Sequence, residues 1–88
     1  MQIEVKKFGT ILTSRPAGRE ASLIVKSYLK PNNIREKIEL DFSGVEVMTP
    51  SWLDEFLQGL KEEYGERVIC LPSKNSTVIE SLKALEEF

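Results

Sequence analysis

Histidine is absent from this 88-residue chain, and cysteine and tryptophan occur once each. Without imidazole, histidine-based acid–base catalysis and histidine-ligated metal sites are excluded. A lone thiol, Cys70, rules out an intrachain disulfide framework, and with no signal peptide or membrane-length apolar run visible a soluble, reducing, cytoplasmic setting is the default expectation. The five glycines are isolated from one another. That removes both the phosphate-cradling loop and the dinucleotide fingerprint. No apolar run approaches the ~20 residues a membrane helix needs. The start, MQIEVKKFG, lacks the charged-then-apolar order of a signal peptide.

Positive charge is also sparse. The net charge is −2 and the pI about 5.2. The densest basic groups are Lys6-Lys7 and the Arg15/Arg19 pair. Nucleic acid and anionic membranes draw on larger clusters, so neither is expected as a partner. What remains is ordinary and globular: 41% hydrophobic and 30% charged residues. The length suits a single domain over 1–88 with one modest core.

Hydropathy patterning supplies the elements. QIEVKKF at 2–8 alternates and predicts a half-buried edge strand. TILT at 10–13 suggests a second short strand. Ser14 can cap a helix whose first turn holds Pro16. Ala17, Ala21, Ile24 and Tyr28, with Val25 beside them, then predict its buried face. Gly18 weakens that helix, and Lys30 with PNN at 31–33 stops it. KIELDF at 37–42 alternates Ile38, Leu40 and Phe42 as a strand. Ser43-Gly44 breaks it, and VEVM at 45–48 is an extended connection.

Thr49-Pro50 opens a second helix. Leu53, Phe56, Leu57, Leu60 and Tyr64 form its stripe, and Gly65 ends it. RVICLP at 67–72 carries a continuous apolar run, as in a strand covered on both faces. Asn75 or Ser76 caps a third helix, buried through Val78, Ile79, Leu82, Leu85 and Phe88. Strands alternating with helices imply an α/β fold with a mostly parallel sheet. About four strands and about three helices are expected.

The site candidates cluster where the strand at 37–42 feeds the second helix. Ligands favour the carboxyl ends of strands in open α/β sheets. A helix start tolerates phosphate, so Ser51 or Thr49 is a candidate phosphoacceptor. Thr49 is equally an ordinary N-cap, and Ser51 with Asp54 has capping-box spacing. Trp52 is either an exposed interface anchor or packed beneath the loop. Arg15 and Arg19 offer a fork for an anionic partner, or else form a solvated first turn paired to Glu20. Asp41, Asp54 and Glu55 together would make only a weak divalent-ion site. The competing role for Asp41 is to accept N–H bonds that shape the Ser43-Gly44-Val45 turn. Cys70 sits mid-strand among apolar neighbours, as an inert buried thiol does.

The run IELDFSGVEVMTPSWLDEFLQGL resembles the central strand–loop–helix of STAS domains, the fold of bacterial anti-sigma factor antagonists. FGTILTSRPAGREA further resembles the STAS-like subfamily of unknown function. The resemblance implies a single STAS-like α/β domain with a mixed, mostly parallel sheet, no catalytic residues, no cofactor and no metal. It implies signalling by protein–protein interaction, in the family by way of a loop serine that a partner kinase phosphorylates. Aligned on Met48 and Leu53, the family's acidic residue falls on Thr49 and its acceptor serine on Pro50. The second serine falls on Ser51 and the glycine on Trp52.

Three functions follow as expectations. The first is a non-enzymatic regulatory domain. It would bind a protein partner through the loop 43–52 and the following helix start. Trp52, Pro50, Ser43 and Gly44 would line that face, with Arg15 and Arg19 as a second patch. An ATP-binding anti-sigma or serine-kinase-like protein is the candidate partner, and the chain itself would be a monomer or weak dimer. The second is a small-molecule or nucleotide sensor that holds an anion at Thr49 to Ser51. The third, a metal-dependent hydrolase, lacks a carboxylate motif.

Overall fold

The computed structural model describes residues 1–29 and 36–87. Strand β1, Gln2–Glu4, is followed by a short 3-10 turn, Val5–Phe8, and by β2, Ile11–Leu12. Helix α1 covers Arg15–Tyr28, then come β3, Ile38–Asp41, and β4, Val47–Met48. Helix α2 covers Pro50–Tyr64, β5 covers Val68–Cys70, and α3 covers Ser76–Ala84. The helix stop placed at Lys30 to Asn33, and Phe88 in the last stripe, lie outside the described residues.

The strands form two sheets: β1-β3-β5 and β2-β4. All three pairings are parallel. This is the α/β, mostly parallel architecture expected, with five strands among the described residues where about four were anticipated. The central strand β3 buries Ile38 and Leu40 completely. Its register sets Leu40 between Ile3 and Cys70. Parallel strands put the carboxyl ends of β1, β3 and β5 on one side, at Glu4, Asp41 and Cys70.

The strand predicted over 2–8 is cut short. Among the described residues β1 has no ladder partner beyond Glu4, because its register ends against Asp41, the last residue of β3. The chain curls into the 3-10 turn, buries Val5, and leaves through Gly9 at φ 127°. The connection at 45–48 is more ordered than predicted. Val47–Met48 pairs with Ile11–Leu12, and Glu46 and Val47 both donate backbone N–H to the Thr10 carbonyl. Among the described residues, strand β5 pairs only with β3 and stands at the sheet edge. Ile69 and Cys70 are half-buried rather than covered on both faces.

Helix α1 is capped as predicted, with the Ser14 hydroxyl accepting the Ala17 N–H. Its buried face matches the predicted one only at Ala21 and Val25. Gly18, Ala21, Ser22 and Val25 are buried, whereas Ala17, Ile24 and Tyr28 face solvent. Close packing of α1 on α2 selects this face. A Cβ added at Gly18 would stand 2.3 Å from the Trp52 carbonyl oxygen. One added at Gly59 would stand 2.2 Å from the Ser22 hydroxyl. Only small residues permit that approach, so it outweighs the larger apolar area on the other stripe.

Candidate functional site

The site is the segment from Asp41 to Trp52, held between α1, β2 and α3. It begins with Asp41 at the end of β3. One carboxylate oxygen accepts the Ser43 N–H at 2.9 Å, and the other accepts the Gln2 amide at 3.0 Å. These bonds, led by Ser43, hold the Asp41 carboxyl below the usual carboxylate range. They shape the turn, as one of the two sequence readings held. Gly44 takes φ 86°, a conformation that glycine adopts without strain. Ser43 and Gly44 are exposed, and Val45 is buried behind them.

Residues 45–49 are then fastened on two sides. On one side, Thr49 donates its N–H to the Leu12 carbonyl at 3.0 Å and its hydroxyl to the Thr13 carbonyl at 2.8 Å. On the other, the Asn75 amide nitrogen donates to the carbonyls of Val45 and Glu46, both at 2.9 Å. The same side chain caps α3, its oxygen accepting the N–H groups of Thr77 and Val78. The Thr77 hydroxyl in turn accepts the Met48 N–H at 3.1 Å. Sequence reasoning saw Asn75 only as a cap. A second role on a loop 30 residues upstream carries no local sequence signal.

Thr49 is the N-cap of α2, accepting the Trp52 N–H at 3.4 Å, and Pro50 takes the first helical turn. The Ser51–Asp54 capping box does not form. Asp54 accepts instead from Arg15 at 2.8 Å and from Gln58 at 3.1 Å. Arg15 also lies 3.5 Å from Glu55. Its guanidinium holds the Asp54 carboxyl below the usual range, and the Asp54 bond raises Arg15 in return. Arg15 is thus engaged by two carboxylates of α2, not by Glu20. Arg19 is exposed one turn further along α1.

Trp52 corrects the expectation of a surface anchor. It is 1% exposed, stacked on Phe56 with ring centroids 4.7 Å apart. As the side chain beneath the α1–α2 crossing, it holds the site from below and does not present itself to a partner. The exposed apolar groups near the loop are others. Ile11 is 64% exposed and Val47 37%, and they are register partners on β2 and β4. Leu12 and Met48, the next pair along, are buried. Alternation within VEVM was the signal for Val47, but an unpaired connection gave it no face.

Pro50 is exposed and Ser51 half-buried. The Ser51 hydroxyl has no hydrogen-bond partner among the described residues, in contrast to that of Thr49. Asp41 and the Asp54–Glu55 pair are each occupied by their own donors. Among the described residues, no group of three or more Cys, Asp or Glu side chains is placed to hold a metal ion. No helix there is long and apolar enough to cross a membrane. Burial drives the Cys70 thiol from 9.0 up to about 11, against reactivity.

A family model described as a STAS-like domain of unknown function matches residues 20–71. The matched segment runs from the body of α1 through β3, the loop and α2 to the end of β5. No curated protein and no solved structure matches the chain.

Proposed function

Because the chain belongs to the family of STAS-like domains of unknown function, we propose that it is a non-enzymatic regulatory domain that docks a protein partner. The docking face is the loop 43–52 with the start of α2. The observation that carries this is the exposed Ile11–Val47 pair standing beside a loop fixed on both sides. A fixed loop loses little conformational entropy on binding, and an apolar pair at its edge supplies the desolvation. Ser43, Gly44, Pro50 and Ser51 complete the face. Arg15 is committed to Asp54 and Glu55, so Arg19 is the cation of the second patch left to meet a partner.

Ser51 is the phosphoacceptor of this reading, since its hydroxyl is unengaged among the described residues while that of Thr49 closes the cap. A phosphoryl group there lies in the first turn of α2, where the helix dipole favours negative charge. It also stands one turn from Asp54 and Glu55, so it adds to an acidic patch and repels an acidic partner. The partner proposed is an ATP-binding anti-sigma or serine-kinase-like protein, in the cytoplasm.

The test is capture from native extract by wild type, Val47→Asp and Ser51→Glu, with folding checked by circular dichroism. Wild type should retain an ATP-binding protein that both variants release. Equal recovery by wild type and Val47→Asp would remove the docking face. A thermal shift with phosphate or nucleotides, in place of any partner, would favour an anion sensor instead.

A further inference from the structure

The loop 43–52 and helix α3 are joined by hydrogen bonds that link the order of one to the seating of the other. Asn75 uses its side-chain oxygen on the helix, accepting the N–H groups of Thr77 and Val78. Its amide nitrogen donates across to the carbonyls of Val45 and Glu46. Two residues on, the Thr77 hydroxyl accepts the Met48 N–H. A turn further, the buried Ser81 hydroxyl shares its proton between the carbonyls of Thr77, at 2.8 Å, and Met48, at 3.2 Å. The bonds to the loop span 29 to 33 residues of chain, so they form only when α3 docks, not with the loop's own turn.

Neither side is self-sufficient. Helix α3 has nine residues, Ser76–Ala84, and a helix this short is marginal on its own in water. Val78 and Leu82 seat it in the core. On the loop's other side, β2 and β4 pair over two residues each, a ladder too short to order the loop by itself. Lifting α3 would leave the Met48 N–H and the carbonyls of Val45, Glu46 and Met48 without these partners, beside the buried side chains of Val45 and Met48. We propose that α3 is a latch on the loop: through Asn75 and Thr77 the loop keeps its form only while α3 is seated, and the two open as one unit smaller than the whole fold. As a control on docking, the latch rests on the reading of the loop 43–52 as the docking face. Docking at the loop and seating of α3 then favour one another, as linked equilibria must. Regulation can therefore act from α3, on the side of the loop away from β2.

Amide hydrogen exchange on the full chain, read by NMR, tests the latch without a partner. Glu80 is exposed in the middle of α3, and Glu80→Gly weakens the helix itself. Exchange should rise about three- to fivefold at Ile79 in α3 and by the same factor at Val47 and Met48, with Phe56 of α2 unchanged. A rise confined to Ile79, no rise at all, or an equal rise at Phe56 overturns the proposal. Asn75→Asp keeps a capping oxygen for α3 but loses both donations to the loop. It should speed exchange at Val47 and Met48 by about tenfold or more and leave Ile79 within about twofold. The Val47 N–H bonds to the Thr10 carbonyl, which this change does not touch, so an unaltered Val47 overturns the latch. These readouts stand whether or not wild type captures a partner from extract. Where it does, capture by Asn75→Asp as full as by wild type overturns the latch as a control on docking.

Discussion

Trp52 supports the site by being buried, the packed one of the two alternatives that its spacing left open. It stands at the third helical position, one residue off the centre of the α2 stripe. The turn from Thr49 aims it inward, beneath α1 and against Phe56. Truncation should therefore be felt as lost packing. Trp52→Ala should destabilise the fold by about 3–5 kcal/mol, the usual cost of emptying a large aromatic site. Urea denaturation measures it, and a loss under about 1 kcal/mol would mean that the ring is not buried. Cys70 gives a second residue-level expectation, on the alkaline side. Its folded pKa of about 11 lies above the ordinary 9.0, so the fold favours the protonated thiol. That stabilisation is complete below the unfolded value and is lost as pH rises through the folded one. Replacing Cys70 by Ser should flatten the decline in stability between pH 9 and about 11. The native thiol should also react slowly with a disulfide reagent near its ordinary reactive range, about pH 8, and rapid reaction would contradict its burial.

Elements were legible wherever one physical signal was sufficient. The α2 stripe, Leu53 to Tyr64, is buried as its period requires. The Ser14, Thr49 and Asn75 caps each close a helix start. Helix α1 was read in part: Ala21 and Val25 are buried as expected, but of two overlapping stripes with the same period the buried one is completed by Gly18 and Ser22. The stripe richer in large apolar groups was the natural choice, yet the contact with α2 is made by Gly18 and Ser22. Their value lies in what they lack, and hydrophobicity does not register it. Gly18→Ala tests this. Alanine favours a helix by about 1 kcal/mol over glycine. The new Cβ would meet the Trp52 carbonyl at 2.3 Å, so the helices must separate. A net destabilisation of roughly 1–3 kcal/mol is expected from thermal or urea unfolding. A gain in stability would show that the crossing has room to spare.

At the scale of the whole molecule, alternation of strands and helices was enough to give an α/β fold with parallel pairing. Division into two sheets was not. It depends on which strands meet, and two-residue strands such as Ile11–Leu12 and Val47–Met48 have almost no sequence signature. The candidate site divided along the same line. The loop's position, the Asp41 turn and the Thr49 cap followed from local chemistry. The Asn75 fastening, the Arg15–Asp54 pair and the exposed Ile11–Val47 pair depend on residues that only the tertiary fold brings together. Those long-range contacts leave one end of the molecule with a fixed loop and an apolar edge. This is the basis for reading the chain as an interaction domain. The most direct test is a photoreactive side chain placed in turn at Val47 and at Glu63. Val47 lies just before the start of α2 and Glu63 in its last turn, and the helix runs about 20 Å from Pro50 to Glu63. In native extract, the account predicts that the probe at Val47 couples to one discrete protein partner and the probe at Glu63 does not. Coupling from Glu63 alone, or equally from both positions, would contradict it.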